Sequence, residues 1–199
     1  YTCYNYIKPE KTVEIVNHLK NAAESGQQIF YNIYTEEEMQ ADSSLRDTGL
    51  CCFKGEDNAK FAVCDAGGGF AYVGAMHDSF PDAPYDDLAR AIEFIHDNAD
   101  TLKVDPDDYS LWGGSAGARM AAMLGNSDYL QQLTGRTDIG QAGAVIMQYT
   151  GYTYTSKADA PTYVCVGTSD GIANWKTMQN RLNTLESYCI PTEFHGNSR

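Results

Sequence analysis

A serine flanked by glycines lies between a strand-like run and a helix-like run, and this arrangement limits what the chain can fold into. Residues 113–117 read Gly-Gly-Ser-Ala-Gly, a G-x-S-x-G pattern, after a β-type run at 109–112 and before a helix-type run at 118–124. A strand that turns sharply into a helix leaves no space for side chains beside the turn, and glycine meets that demand. The pattern predicts that Ser115 exposes its hydroxyl at a helix N-terminus. A glycine-rich turn that happens to contain serine is the alternative.

Strand-like and helix-like segments alternate along the chain, which predicts an α/β fold with a largely parallel sheet. The predicted strands are 28–34, 50–54, 60–64, 109–112, 142–148, 162–167 and 192–195, and the predicted helices are 11–25, 85–98, 118–124 and 174–188. A polar turn joins the second strand to the third, and another turn, at 105–108, precedes the fourth. No repeat or linker interrupts residues 1–199, so we expect a single domain.

The chain is acidic, with 27 acidic and 14 basic residues and a formal net charge of −13. Nucleic acids and anionic membranes bind clusters of Lys and Arg, so this charge argues against both as partners. No apolar run approaches the about 20 residues of a membrane span, and no secretory signal is visible. We expect a cytoplasmic protein, with secretion after signal removal as the alternative because the chain begins at Tyr1. A homo-oligomer is compatible with these numbers.

The six cysteines form neither a zinc motif nor a dense disulfide framework. They are Cys3, Cys51, Cys52, Cys64, Cys165 and Cys189. Because no C-x-x-C pair is present, we expect no zinc site, and the low density of cysteines favours reduced thiols. We expect no other metal and no cofactor. Cys64 and Cys165 lie in apolar runs and are predicted to be small core residues.

A second glycine-rich segment, Gly67, Gly68 and Gly69, follows the strand predicted at 60–64. Glycines allow backbone N–H groups to approach a substrate oxygen without an intervening side chain. Together with the N–H of Ala116, these residues are predicted to form an oxyanion hole. A flexible loop or a phosphate cradle is the alternative, but no Walker lysine follows and the G-x-G-x-x-G spacing is not met.

Asp170 is the predicted acid that orients a catalytic histidine. It follows the apolar run at 162–167, and the carboxyl ends of parallel strands are where open α/β sheets place functional residues. A turn aspartate is the alternative reading. Asp138 and Asp159 also lie after Ser115, but neither follows such a strand.

His195 is the predicted general base. In the chain order serine, acid, histidine, it is the histidine that follows Asp170. His77 lies close to the glycine-rich segment but in the wrong order, and a histidine absent from this sequence is a further alternative. His18 and His96 fall on predicted helices and are expected at the surface.

Four segments together resemble the α/β-hydrolase esterase and lipase superfamily. They are residues 67–70, 86–95, 112–123 and 170–175, and the resemblance spans roughly 28–195. The nearest groups are the acetylxylan-esterase-like and hormone-sensitive-lipase-like carboxylesterases. The resemblance implies a three-layer α/β-hydrolase fold with a mostly parallel sheet and a catalytic triad of Ser115, Asp170 and a histidine.

The sequence departs from these relatives in three places. Ala66 stands where relatives usually carry the histidine of His-Gly-Gly-Gly. Relatives also have a strand and part of a helix near 81/82, and a glycine-flanked histidine loop with a final helix beyond 195/196. We therefore expect that segments are missing at these two points, including a strand and the C-terminal helix.

The sequence predicts a serine carboxylesterase that hydrolyses small or carbohydrate-linked, acetyl-type esters through an acyl-enzyme on Ser115. A serine peptidase on the same fold and a non-catalytic binding protein are the alternatives. The connection from Ser115 to Asp170 is about 55 residues, which leaves little room for a large lid. The tyrosine-rich segment at 149–154 either lines a pocket or packs against the protein.

Overall fold

In the computed structural model of the protein, residues 8–68 and 83–198 are described. The helices are α1 (Pro9–Glu24), α2 (Glu36–Ala41), α3 (Ala83–Asp97), α4 (Ala99–Leu102), α5 (Ala116–Leu124), α6 (Ser127–Thr134) and α7 (Trp175–Ser187). The strands are β1 (Phe30–Asn32), β2 (Gly49–Cys51), β3 (Ala59–Asp65), β4 (Val104–Gly114), β5 (Ala144–Gln148), β6 (Thr162–Gly167) and β7 (Thr192–Asn197).

Five strands form one parallel sheet in the order β3-β4-β5-β6-β7. The short strands β1 and β2 pair antiparallel in a separate two-stranded sheet. All carboxyl ends of the five-stranded sheet point to the same edge, so the segments that follow β3, β4, β5 and β6 meet there. The α/β class and the parallel sheet predicted from the sequence are confirmed.

One face of the large sheet carries the hydrophobic core. Alternate residues of its strands point to this face and are almost fully buried: Val63, Leu111, Val145, Met147, Val164 and Val166. Helix α5 covers them with small residues such as Ala118 and Ala121, and α7 adds Met178, Leu182 and Leu185. Small side chains let α5 approach the strands closely, which fixes the position of the first turn of α5 over the sheet edge.

The opposite face of the same sheet is largely exposed. Trp112, on β4, is 41% exposed, and Cys64 beside it on β3 is exposed as well. No helix covers this face within residues 8–68 and 83–198. The prediction that Cys64 and Cys165 are core residues is wrong, because both belong to this face: Cys64 is exposed and Cys165 is half-buried. The expected third layer therefore does not appear in the described part of the chain.

Several local predictions need correction. Residues 105–108, predicted as a turn, fall inside β4, where the register with β3 shifts and the Asp107 amide donates to the Asp105 carboxylate at 3.0 Å. The strands at 50–54 and 60–64 belong to different sheets. Helix α6 was not predicted. Strand β7 extends past its predicted end at 195 to Asn197, whereas 81/82 lies outside the described residues, so the expected missing segments stay a prediction.

None of the helices in the described ranges combines the length and the apolar character needed to cross a bilayer. Cys51, Cys52, Cys64, Cys165 and Cys189 are unbridged in the structure, and Cys3 lies outside the described residues.

Candidate active site

Ser115 lies at the point where β4 ends and α5 begins, as the sequence predicts. Its backbone has φ 56° and ψ −116°, a left-handed conformation that non-glycine residues rarely adopt. The Ser115 amide donates to the Gln148 carbonyl of β5 at 2.9 Å, which ties the bend to the neighbouring strand. The half-buried serine is thus held at the N-terminus of α5, where unpaired amides and the helix dipole favour negative charge.

The glycines on both sides of Ser115 are required by close backbone contacts. A Cβ at Gly113 would lie 2.5 Å from the Ala118 nitrogen and closer still to the backbone of Gly117. A Cβ at Gly117 would lie 2.7 Å from the Ala66 carbonyl oxygen. These contacts pack the first turn of α5 against the end of β3, and they explain the G-x-S-x-G pattern by geometry.

The glycine segment after β3 lies directly beside Ser115. A Cβ at Gly67 would lie 2.7 Å from the Gly114 oxygen and 3.2 Å from Ser115 Cβ, so only glycine allows this approach. Gly68 has φ 141°, and Gly69 lies outside the described residues. The structure therefore brings Gly67 to the serine and places Ala116 as the first residue of α5. Their roles as oxyanion donors remain predictions.

An open groove of about 490 Å³ borders Ser115. The described residues that line it are Ser115, Ala116, Arg119, Ile172, Ala173 and the segment at 149–154. The tyrosine-rich segment therefore lines a pocket, which was one of its two predicted roles.

Asp170 lies in the loop between β6 and α7, and this loop borders the same groove through its neighbours Ile172 and Ala173. Asp170 Oδ1 accepts hydrogen bonds from the amides of Ile172 at 2.8 Å and Ala173 at 3.0 Å. The carboxylate thus stabilises its own turn, as expected of a turn aspartate, which the sequence analysis gave as the alternative role. The same hydrogen bonds fix the orientation of the carboxylate at the carboxyl edge of the sheet. Its role as the orienting acid remains a prediction.

The two other candidate acids are paired with arginines. Asp159 Oδ2 accepts from Arg181 at 2.8 Å, and both side chains are buried. Asp138 accepts from Arg136 at 2.6 Å, and these hydrogen bonds lower the pKa of the Asp138 carboxyl to about 2. Asp170 differs from these two candidate acids because the described donors to its carboxylate are backbone amides rather than arginines.

The structure does not bring His195 to Ser115. His195 lies inside β7, level with Cys165 of β6, and it is exposed. Strand β7 is three strands from β4, which corresponds to roughly 14 Å, whereas a nucleophile and its base lie within about 3 Å. The sequence places His195 near the end of the last strand, but strand pairing continues past it to Asn197.

The other described histidines do not replace His195. His96 is half-buried on α3, where its ring nitrogen lies 3.2 Å from Arg136, and His18 is exposed on α1 and stacks on Phe53. His77 lies outside the described residues. The described part of the chain therefore holds no histidine hydrogen-bonded to Ser115.

Asp65, which the sequence analysis did not single out, lies against the first turn of α5 near Ser115. It ends β3 next to Ala66 and Gly67, and its Oδ2 is buried without a hydrogen-bond partner among the described residues. Burial raises the pKa of the Asp65 carboxyl to about 7, although a hydrogen bond from the Ala66 amide opposes the shift. An acidic residue at the end of an apolar strand, directly before glycines, was the available signal.

We expect Asp65→Asn to gain stability relative to the wild type as the pH rises. Between the ordinary carboxyl pKa of 3.8 and about 7, the folded protein holds a proton that the unfolded chain has lost, so wild-type stability falls with rising pH in this window. The asparagine variant lacks this titration. After allowance for partial exposure, the advantage should reach roughly 2 kcal/mol at pH 8 and vanish near pH 4. Urea unfolding at both pH values measures it, and a difference independent of pH would refute the expectation.

A buried polar network supports one wall of the groove. Arg181 of α7 is 3% exposed, donates to the Tyr154 carbonyl at 3.1 Å and pairs with Asp159. Asp159 in turn accepts from Asn126 at 2.5 Å. Such a network positions the segment at 149–154, and no local sequence pattern reveals it because its members lie far apart in the chain.

Comparison with known proteins identifies related sequences. The BD-FAE family model matches residues 69–144. Gut esterase 1 of Caenorhabditis briggsae is 32% identical over 84 residues, which cover 40% of this chain and 15% of that protein. The chain therefore spans a small part of the length of this curated relative.

Solved structures share the fold. The acetyl ester-xyloside bifunctional hydrolase of Caldicellulosiruptor lactoaceticus aligns with a TM-score of 0.68 and 12% identity over 85% of both chains. Native esterase 2 of Thermogutta terrifontis aligns with a TM-score of 0.60 and 19% identity over 72% of both chains. A carboxylesterase of Lactobacillus plantarum aligns with a TM-score of 0.57 and 17% identity over 74% of both chains. These structures show that the protein has the α/β-hydrolase fold, as the resemblance of its motifs implied.

Proposed function

We propose that the protein is a carboxylic ester hydrolase with Ser115 as its nucleophile. The observation that carries the proposal is the backbone of Ser115, held at φ 56° at the N-terminus of α5 with Gly67 packed against it. A strained serine on a strand-to-helix turn is costly to fold, and such strain persists where it positions a reacting group. The esterases and hydrolases among the related proteins support the same reaction class.

In the proposed reaction, Ser115 Oγ attacks the ester carbonyl and the alkoxy group leaves as an alcohol with the serine proton. The amides of Gly67, Gly68 and Ala116 donate to the oxyanion that forms, as the N-terminus of α5 favours. Water then cleaves the acyl-serine bond, which releases the acid and restores the hydroxyl. Asp170 orients the base, and we assign that base to none of the described histidines.

Small acyl esters, such as acetyl esters of sugars, are the proposed substrates. The groove beside Ser115 is open and wide enough for a bulky alcohol, and one structural neighbour is named as an acetyl ester-xyloside hydrolase. Both observations support the proposal without fixing the acyl or the alcohol group.

Hydrolysis of p-nitrophenyl acetate by the wild type and by Ser115→Ala tests the function. Release of p-nitrophenol that depends on Ser115 supports it, and equal rates for the two proteins favour a non-catalytic binding protein. The matching acetyl p-nitroanilide separates the remaining alternative, because cleavage of the anilide at a comparable rate favours a peptidase.

We expect His195→Gln to retain ester hydrolysis within about twofold of the wild type, because His195 lies roughly 14 Å from the strand that carries the nucleophile. His18→Gln, which changes an exposed histidine on α1, is the matched control. Initial rates with p-nitrophenyl acetate measure both variants. A loss of about a hundredfold or more in His195→Gln alone would restore His195 as the general base.

A further inference from the structure

Tyr149, the residue that follows β5, has a strained backbone at the edge of the sheet that carries the nucleophile. Its φ is 35°, in the left-handed region that bulky side chains rarely adopt. Its amide still donates to the Cys165 carbonyl of β6 at 3.2 Å, so the chain leaves the sheet directly at this residue. The residue is 46% exposed, so burial alone does not account for the strain. Such strain persists where it directs a side chain into a functional site.

The hydroxyl of Tyr149 lies against the backbone that carries Ser115. A Cβ at Gly114 would lie 2.5 Å from the Tyr149 hydroxyl oxygen and 2.8 Å from the ring carbon that bears it. Because a carbon–carbon bond adds about 1.5 Å, the hydroxyl lies within about 4 Å of the Gly114 Cα. Gly114 directly precedes the nucleophile, and Tyr149 lines the groove that borders Ser115. The hydroxyl therefore lies at the reacting end of this groove.

A substrate oxygen can reach the Tyr149 hydroxyl. Two other tyrosine hydroxyls are paired within the fold, that of Tyr34 with Asp87 at 2.5 Å and that of Tyr109 with the Gly140 carbonyl at 2.9 Å. No residue within 8–68 and 83–198 forms a hydrogen bond with the Tyr149 hydroxyl. Water bonds to such a group when the groove holds solvent, and a substrate oxygen can take the place of that water.

The sheet order places Tyr149 and Gly67 on opposite sides of Ser115. Strand β4, which leads to the nucleophile, lies between β3 and β5. Gly67 follows β3 and is one of the proposed oxyanion donors, whereas Tyr149 follows β5. An ester carbon under attack bears two oxygens, the carbonyl oxygen and the alcohol oxygen. Since the proposed donor on the β3 side holds the carbonyl oxygen, the β5 side is left for the alcohol oxygen.

We propose that the Tyr149 hydroxyl donates a hydrogen bond to the alcohol oxygen of the ester, and that the protein acts on esters of weakly acidic alcohols. When the bond between the acyl carbon and this oxygen breaks, negative charge grows on the oxygen, and the hydrogen bond stabilises it. Tyr149 keeps its own proton, because the departing alcohol takes the proton of Ser115. The inference rests on the proposed function of Ser115 and adds a class of leaving group to it.

Three acetate esters that differ only in the leaving alcohol test the inference. The leaving group is strongly acidic in p-nitrophenyl acetate, intermediate in phenyl acetate and weakly acidic in benzyl acetate. The measured quantity is kcat/KM for each ester, because it reports the step that forms the acyl-enzyme. Tyr149→Phe keeps the ring and removes only the hydroxyl. Tyr188→Phe is the matched control, since Tyr188 is a 36% exposed tyrosine at the C-terminal end of α7.

We expect Tyr149→Phe to lower kcat/KM for benzyl acetate about tenfold more than for p-nitrophenyl acetate, with phenyl acetate between them. A nitrophenol carries the developing charge without help, whereas a weakly acidic alcohol depends on the donor. Tyr188→Phe should match the wild type on all three esters, and circular dichroism verifies the fold of both variants. An equal loss on the three esters in Tyr149→Phe, or no loss on any of them, overturns the inference.

The outcomes separate this inference from the proposed function. If wild-type hydrolysis depends on Ser115 while Tyr149→Phe leaves the relative rates of the three esters unchanged, only the role of Tyr149 is wrong. If Ser115→Ala hydrolyses the three esters as fast as the wild type, both proposals are wrong.

Discussion

Replacing Ser115 with alanine should lower the hydrolysis of p-nitrophenyl acetate by roughly a thousandfold or more, because no acyl-enzyme can form without the hydroxyl. Alanine keeps the Cβ and leaves the hydrogen bond from the residue-115 amide to Gln148 in place. The fold should therefore persist, and the loss should appear in kcat. Initial rates at saturating ester measure it, and circular dichroism verifies the fold.

Ser187→Ala is the matched control for Ser115→Ala. Ser187 is an exposed serine at the last residue of α7, whose hydroxyl donates to the Thr184 carbonyl at 2.6 Å. Ser187 lies about 20 Å along the axis of α7 from the first residue of that helix, which follows the loop that borders the groove. A fluorophosphonate probe should label the wild type and Ser187→Ala but not Ser115→Ala. Labelling of Ser115→Ala at the wild-type level would place the nucleophile elsewhere.

The parts of the fold predicted from sequence are those that local patterns encode. Strands β5 and β6 are continuous apolar runs, as expected of strands in the middle of a parallel sheet. Helix α3 has a clear apolar face, which is typical of an amphipathic helix. The glycines around Ser115 predict the sharp turn into α5. Helix α6 was missed because it is short, with Leu130 as its buried residue.

The candidate site was only partly predictable, because its remaining features depend on contacts between distant segments. The burial of Asp65 requires α5 to pack on the end of β3, and Arg181 meets Asp159 across 22 residues of chain. The placement of His195 depends on how far β7 continues its pairing with β6, which propensity alone does not determine. Cys64 and Cys165 lie in apolar runs, but only the sheet topology shows which face receives helices.

Replacing Gly117 with alanine should destabilise the protein by about 3 kcal/mol or more and also suppress hydrolysis. In an exposed helix, glycine to alanine stabilises by about 1 kcal/mol, so intrinsic helix propensity predicts the opposite sign. The added Cβ would lie 2.7 Å from the Ala66 carbonyl oxygen and closer still to that of Asp65. Both oxygens belong to the backbone at the end of β3, so they cannot rotate away as a flexible side chain would.

Relief of this clash requires α5 to move away from β3, and that movement would separate Ser115 from Gly67. The same methyl group should therefore reduce the free energy of unfolding, which urea unfolding measures. It should also reduce the fluorophosphonate labelling of Ser115 in the protein that remains folded. Gly140→Ala is the matched control, since a Cβ there meets no atom of the described residues within 4 Å. If Gly117→Ala proved as stable and as reactive as Gly140→Ala, the close packing of the helix on the strand would not be what holds the serine in place.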